Sequence, residues 1–591
     1  MKIIKLKENS INPISSNYLA DYLVSLGISS NNIDSFILGP KDKDKDNPLD
    51  LDNMEIAISA MHDAILHNKK FFIQVDSDVD GNTSAAIFYN YFKTRYENLD
   101  IIWRLQEGKE HGIINSTVPE DREIIIIPDA GSMQLEEQEE LSKNGKTVII
   151  LDHHTVLEQK QFNNVILVNN QSSAKFNNKF LSGAGIVLMF IEAYDEKYYD
   201  GELWSKYMDL AALGVIADMM NTCTLGNNYI IEKGLSCIRN KMFQELLQMQ
   251  SYSISNIANP SKIDIAFYIA PIINGLIRSG LAEEKEVFFK ALIDNNNTEI
   301  FTTTSRGITR HENIYQYAAR IAKNAKSRQD AVKKRGAEFL NNKIKTKQLD
   351  KNKVLVVTID NDELNKVNQN MTGLTAMELC KTYNKPTLVL REHDEKDGTK
   401  IYSGSGRSKD FHGMNGFLNF ILDSQLDTMA EGHQLAFGTS FTEKGLKDFI
   451  EYSNDKLSSV DFNDETVEVD YWFKNTVNSK ILRDFAKNIR IYGNGIPQPK
   501  FAFTFNLDAK DLFIMGKDKS SMKITLGDIS LVMFKAPKVI REIQTQNNCK
   551  ITCIGRSQIN SFNGLESVQV IIDDIQVDKR EDTLFSALDL I

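Results

Sequence analysis

The chain is poor in the residues that staple small folds or mark membranes. It has 5 cysteines in 591 residues (Cys223, Cys237, Cys380, Cys549 and Cys553) and no C-x-x-C pair. That excludes a disulfide framework and a cysteine-rich zinc site, and the odd number fits a reducing cytoplasm. No apolar run approaches the ~20 residues needed to span a bilayer. The opening "MKIIKLKENS" is too short and too polar to read as a secretory signal, so a cytoplasmic location is expected. Internal repeats and low-complexity tracts are also missing. What remains is ordinary globular material, 42% hydrophobic and 25% charged, enough for a large core. The length suits roughly three or four domains.

Positive charge is outnumbered: the net charge is -11, which argues against indiscriminate affinity for nucleic acid. The basic residues are unevenly spread, however. Arg320 to Lys353 holds twelve Lys or Arg against three acids. A solvated helix face and a surface that guides a polyanion both fit this run.

Residues 1 to 70 read as helices broken by the charged loop "GPKDKDKDNPLDLDN". Short β-branched runs then alternate with helical stretches: "FFIQV", "DIIWRL", "EIIIIPD", "KTVIILD" and "VILVNN". Continuous apolar strands separated by helices predict a mostly parallel sheet covered on both faces. Helices are expected from about 183 to 347, a second α/β region from 353 to 452, and a β-rich tail reading as a small barrel or sandwich.

The strands end in acid. "FFIQVDSDVDG" closes on Asp76, Asp78 and Asp80, "EIIIIPDAG" on Asp129, and "TVIILDHH" on Asp152, His153 and His154; the helical "LAALGVIADMMN" carries Asp218. A single Asp after a strand is usually a cap or turn residue. Several such ends on one sheet are another matter, because ligands of open parallel sheets bind outside the carboxyl ends of the strands. Clustered carboxylates stay ionised only beside cations. Acids with one or two imidazoles suit two Mn²⁺ or Mg²⁺ ions, the usual device for attacking a phosphoryl group.

In this order "DSDVDG", "PDAG", "LDHH" and "GVIAD" resemble the four phosphoesterase motifs of the DHH superfamily. Further segments ("LSGAGIVLMF", "IAFYIAPIINGLIRSG", "GSGRS", "EGHQLAFG", "YGNGIPQP") are similar to the RecJ family of single-strand-specific 5′→3′ exodeoxyribonucleases within it. The resemblance covers nearly the whole chain. It implies a multidomain α/β protein: a parallel-sheet DHH catalytic domain with N-terminal helices (1–300), a connecting basic helix (301–350), a DHH-associated substrate-binding domain (351–458) and an OB-like β-barrel (459–591). It implies Asp78, Asp80, Asp129, His153 and Asp218 as ligands of the two ions, with Asp129 as bridge. Asp76 and Asp152 are implied as ligands or orienters, and His154 is implied beside the bridging hydroxide or leaving group. Arg104, Ser405 and Arg407 resemble a pocket for a 5′-terminal phosphate, and His433 a contact to the scissile phosphate. Asn274 and Arg278 would line the cleft. Single-stranded DNA is the implied partner, with a helicase or single-strand-binding protein beside it.

Three departures from the family pattern stand out. Gln74 occupies a position where some members carry a metal-binding His, and its carbonyl is a weaker candidate ligand. Ser77 replaces an aromatic, and "EGKEHG" (107–112) is longer than the usual turn. Two rivals remain. One is a DHH enzyme for short oligoribonucleotides or cyclic dinucleotides, which the β-rich tail argues against. The other is a catalytically inactive replication scaffold, which should have lost its acids. Tyr471, Trp472 and Phe473 are candidate stacking residues of the tail, with at least one expected to be buried by strand alternation.

Overall fold

The computed structural model describes residues 3–7, 17–107, 110–254, 256–294, 296–305, 307–367, 371–395, 398–409, 411, 414, 416–426, 428–462, 466–474, 476–562 and 565–579. Gly108 and Lys109 of the long turn, and the tail beyond 579, lie outside the described residues. The chain divides into two compact units, one of Leu6–Lys326 with Val469–Ile591 and one of Met1–Lys5 with Ser327–Glu468.

The larger unit is built on a five-stranded parallel sheet in the order Ile101–Leu105, Phe71–Val75, Ile124–Pro128, Thr147–Asp152, Val165–Asn169. Its strands are apolar throughout because both faces are covered. Phe71, Ile73, Ile124, Ile126, Ile149 and Leu151 face a core shared with the helices Val79–Arg95, Gly183–Tyr199 and Met208–Ala217. Phe72, Ile125, Ile127, Val148 and Ile150 face a smaller core with Leu141 and Ile113. Truncating one of these, such as Ile126, costs about 2–5 kcal/mol by the transfer and cavity terms. From the Phe71–Val75 strand the chain moves first to one neighbour and then across to the other. The topological switch point therefore falls beside Asp76–Asp80 and Asp129, where such sheets bind ligands.

The same unit carries the C-terminal β region. Its seven strands run in the order Tyr471–Lys474, Phe501–Asp508, Asn548–Phe562, Leu565–Lys579, Ile529–Met533, Ser521–Leu526, Leu512–Met515. Phe473 is buried in its core, Tyr471 packs beside it from the same face with ring centroids 4.6 Å apart, and Trp472, on the opposite face, is half-buried. The Trp472 indole N–H donates to Thr504, which marks it as a packed residue. The helix Tyr18–Ser25 shares this core: Tyr22 meets Phe485 edge-on at 5.6 Å and donates to the Pro497 carbonyl. The helix Tyr18–Ser25 thus serves the β region, where the sequence grouped it with residues up to 300, whereas the helix Met54–Leu66 packs into the core of the parallel sheet.

In the smaller unit a five-stranded mixed sheet runs Thr428–His433, Ala436–Thr442, Lys400–Arg407, Thr387–Asp394, Leu355–Ile359. Helices Thr372–Tyr383, Phe417–Leu422 and Glu443–Lys456 accompany it.

Three sequence expectations are corrected. Residues 1–70 are not all helical, since Ile3–Leu6 pairs as a strand with Thr466–Val469. The stretch 183–347 is interrupted by a hairpin of Ile300–Ser305 and Ile308–Asn313. The connecting helix accordingly starts at Ile314, not 301, and runs to Lys347, roughly 50 Å at 1.5 Å per residue. "FTTTS" favours a strand by its β-branched residues, a local signal that the surrounding helical pattern obscured.

Candidate metal centre

The carboxyl edge of the parallel sheet gathers the acids. Asp78 is the N-cap of the helix Val79–Arg95, accepting from the Gly81 N–H at 2.9 Å. Asp80, in the first turn, is held by the N-terminus of the helix Gly183–Tyr199. Its carboxylate accepts from the Ser182 hydroxyl and from the Gly183 and Ala184 N–H groups at 2.7–3.1 Å. This contact explains "SGAG": a Cβ at Gly183 would collide with Asp129 Oδ1. Gly214 has a matching role, since a Cβ there would collide with Asp80 Oδ1. The two glycines let three helices and the sheet edge close around the acids.

Asp129 follows its strand in the left-handed region at φ 67, and its backbone N–H donates to the Leu151 carbonyl. It is 2% exposed, and its Oδ1 accepts no hydrogen bond among the described residues, although His153 Nε2 lies 3.3 Å away. A buried carboxylate oxygen left without a donor costs several kcal/mol unless a cation completes it. His153 Nε2 is also 3.5 Å from Asp218 Oδ2 and 4.0 Å from Asp80 Oδ2. Asp218 caps the C-terminus of the helix Met208–Ala217. Among the described residues three groups have ligand atoms within 4.8 Å of one another: Asp76, Asp78 and Asp129; Asp80, His153 and Asp218; Asp129, His153 and His154. Asp129 and His153 each belong to two of them, so the six side chains and His154 form one continuous cluster.

The electrostatics fit the same reading. Burial, then Asp80, pushes Asp78 up to about 6. Burial, then Asp80 and Asp78, pushes Asp218 up to about 8 and Asp129 well above the carboxylate range. Burial also lowers His153. The protein itself supplies too little positive charge to keep these acids ionised, and divalent cations on this oxygen-rich donor set would supply it.

Asp152 differs. Its Oδ1 accepts from the His153 and His154 N–H groups and from His154 Nδ1 at 2.7 Å, and its Oδ2 from the Ser132 N–H at 3.0 Å. These bonds, against the opposing effect of burial, hold it well below the usual carboxylate range. Of the two roles the sequence left open for Asp152, the geometry favours the orienter. Its bond raises His154 to about 9.

The sequence missed His111, whose Nδ1 lies 3.0 Å from Asp76 Oδ2 while the Gly112 N–H donates to Asp76 Oδ1. It sits in "EGKEHG", legible only as a turn of unusual length. The expectation for Gln74 is corrected: its amide donates to Ile114 O and Thr117 Oγ1 and accepts from the Ile114 N–H, so both ends of the amide are committed to securing a loop.

The remaining predicted residues lie elsewhere. Arg104 is the penultimate residue of the edge strand Ile101–Leu105 and forms a two-pronged pair with Glu110 at 2.8 and 3.2 Å. Asn274 and Arg278 lie on the outer face of the helix Ala270–Ser279, with no side-chain partner among the described residues. In the other unit, the Ser405 hydroxyl is 3.1 Å from Thr372 Oγ1. The Arg407 guanidinium lies against Gly373 in the first turn of Thr372–Tyr383, bonded among the described residues only to the Gly406 and Phe437 carbonyls. Two hydroxyls, a helix N-terminus and an Arg without a carboxylate suit an anion. His433 stands exposed at the end of the strand Thr428–His433.

Paired acids and imidazoles on the carboxyl edge of a parallel α/β sheet define a metal-dependent phosphoesterase-type centre. Residues 70–215 match the N-terminal domain of the DHH family, and residues 475–574 match the RecJ OB domain. A putative SPbeta prophage-derived single-strand DNA-specific exonuclease, YorK, of Bacillus subtilis is 32% identical over 89% of this chain and 91% of its own. The single-stranded-DNA-specific exonuclease RecJ of the same organism is 24% identical over 95% of this chain and 68% of its own. The solved manganese complex of RecJ from Thermus thermophilus superposes with a TM-score of 0.68 at 18% identity, covering 97% of this chain and 79% of that one. The chain belongs to the RecJ family of DHH phosphoesterases.

Proposed function

We propose that this protein is a divalent-metal-dependent exonuclease that hydrolyses single-stranded DNA from the 5′ end and releases 5′-mononucleotides. The observation that carries it is the buried, donorless Asp129 oxygen beside His153, at the switch point of a sheet whose neighbouring strands also end in acid. Asp76, Asp78, Asp80, Asp129, His153 and Asp218 would hold two Mn²⁺ or Mg²⁺ ions. When bound, these supply the charge that offsets the acids, polarise the phosphodiester and activate water.

The chain's own groups do the rest. The amides of the helix Gly183–Tyr199 fix Asp80, and Asp152 fixes His154 and keeps it protonated. Water attacks the phosphorus, the bond to the 3′-oxygen breaks, and His154 gives that oxygen its proton. The first nucleotide leaves with a free 3′-hydroxyl, and the next keeps the phosphate as its new 5′ end. On the larger unit Arg104 is the proposed phosphate contact, with Asn274 and Arg278 as contacts to the strand; on the smaller unit Ser405 and Arg407, beside Thr372, are proposed to take a phosphate, and His433 to contact the DNA backbone. The C-terminal β region would take the downstream DNA. A helicase or single-strand-binding protein as partner, and a cytoplasmic setting, complete the reading; the five cysteines are free, and no helix among the described residues is long and apolar enough to cross a membrane.

The test uses purified protein, Mn²⁺ and one oligonucleotide labelled separately at its 5′ and 3′ ends, beside Asp80→Ala. Labelled mononucleotide from the 5′ end, a shrinking 3′-labelled ladder and a silent variant are expected. DNA bound but never cut under any divalent metal would leave an inactive scaffold, and digestion of short RNA alone would indicate an oligoribonuclease.

A further inference from the structure

The three departures from the family pattern are joined in space. Gln74 anchors Ile114 and Thr117 at the far end of the long turn. The Ser77 hydroxyl donates to the Glu110 carbonyl at 3.1 Å, a contact that an aromatic could not make. His111 and Gly112 hold Asp76. Together these bonds seat Glu110, His111 and Gly112 on the first acidic motif and deliver one side chain, Glu110, to Arg104.

The delivery is specific. Glu110 offers one oxygen to each terminal nitrogen of the guanidinium, at 2.8 and 3.2 Å, the fork geometry in which Arg also takes a phosphate. The carboxylate is preorganised, since its Oε2 also accepts from the Glu107 N–H at 2.8 Å and the Glu110 N–H donates back to the Glu107 carbonyl. The pair is open to incoming ligands, with side chains 25% and 29% exposed. Arg104 and Glu107, with Tyr89, Trp103, Gln106 and Lys285, line a cleft of about 800 Å³ beside the edge strand. Arg104 holds Glu110 below the usual carboxylate range, so the side chain remains an anion at neutral pH.

We propose that Glu110 is a built-in stand-in for the 5′-terminal phosphate on Arg104, so that this chain accepts 5′-hydroxyl and 5′-phosphate DNA ends with similar efficiency. The inference rests on Arg104 being a phosphate contact. With Glu110 in the fork, the charge of Arg104 is already answered when a hydroxyl end arrives. A phosphate end must displace a tethered anion and gains little. Each cleavage leaves a 5′-phosphate on the next nucleotide, so the same competition recurs in every cycle and favours release over a firm grip.

The test compares one thymidine oligonucleotide carrying either a 5′-phosphate or a 5′-hydroxyl, with the full chain and with Glu110→Gln, Arg104→Ala and the double variant. First-cleavage kcat and KM are measured with Mn²⁺, and affinity by fluorescence anisotropy in EDTA, a readout independent of catalysis. The phosphate-to-hydroxyl ratio of kcat/KM is expected within about threefold of one for the unaltered chain. In Glu110→Gln it should rise about tenfold or more, through KM and with a matching change in affinity, as a freed bidentate contact predicts. Arg104→Ala should erase that rise in the double variant. An unchanged ratio in Glu110→Gln, with Arg104→Ala lowering phosphate affinity, overturns the role of Glu110 and leaves Arg104 as a phosphate contact. If Arg104→Ala alters neither ratio nor affinity in either background, the assignment of Arg104 fails and the inference with it. Should no DNA be cut under any metal, the exonuclease reading falls, and the anisotropy ratio still decides the role of Glu110.

Discussion

The acidic sheet edge and the basic helix Ile314–Lys347 are both densely charged, and they are charged in opposite ways. Along the helix many charges are answered locally. Arg320 pairs with Glu312, Lys333 with Glu378, and Lys343 with Asp360 and Glu363. Lys353, just beyond, donates to the Val460 carbonyl. At the sheet edge Asp78, Asp129 and Asp218 belong to one cluster of acids with two imidazoles, and Asp129 keeps a buried oxygen without a hydrogen-bond donor among the described residues. Charge density therefore says little about function. Whether each charge already has a partner says much more, because an uncompensated buried charge persists only where a ligand completes it.

The largest test of this contrast is Asp129→Asn. Exonuclease activity should fall below detection. The metal-free protein at pH 8 should become more stable, by on the order of 1 kcal/mol, because the fold no longer buries a carboxyl whose ionised form it disfavours. A stability loss without metal would mean that Asp129 already has a structural partner.

Next comes pH. In the metal-free fold Asp78 is raised to about 6 and Asp218 to about 8. The folded state then binds protons more tightly than the unfolded chain. The stability these groups contribute is full at low pH and is lost as pH climbs through that window. Mn²⁺ replaces the protons, so the rise in melting temperature on adding Mn²⁺ should grow from about pH 6 to about pH 8. A shift of constant size across that range would contradict the cluster's role as the metal site.

Asp152→Asn should be milder, lowering activity roughly 10–100-fold, the usual effect of losing a group that orients a site histidine. His154 would lose its raised pKa, so the alkaline limb of the rate profile should move to lower pH. An unmoved limb would remove His154 as the proton donor.

The smallest effect tests the helix. Lys343, whose side chain is 6% exposed, should cost about 1–3 kcal/mol when replaced by Met, with affinity for DNA unchanged within twofold. A large loss of DNA binding with intact stability would return the basic run to a polyanion-guiding surface.

The family, the parallel sheet, its acid-ended strands and the β-rich tail were legible in the sequence, because period and strand-end chemistry are local properties. Less legible were the positions where one segment borrows another's atoms. Asp152 and Asp129 look alike as residues after a strand, and only their neighbours separate an orienter from an open ligand. Gln74 looked like a substitute ligand, yet its amide is consumed by Ile114 and Thr117. His111 and Glu110 carried no signal beyond the length of their turn. Helix Tyr18–Ser25 could not be placed in the β region's core, since an amphipathic stripe says that a face is buried but not against what.

By itself the sequence determined the chemistry available: carboxylates and imidazoles at the ends of buried strands, in an order that belongs to one family. The tertiary structure decided how that chemistry is divided. It gave Asp80 to a helix N-terminus, Asp152 to His154, Asp76 to a turn and Arg104 to Glu110, and it left Asp129 open. Hydrogen bonds between segments far apart in the chain are satisfied or withheld only once the chain has folded.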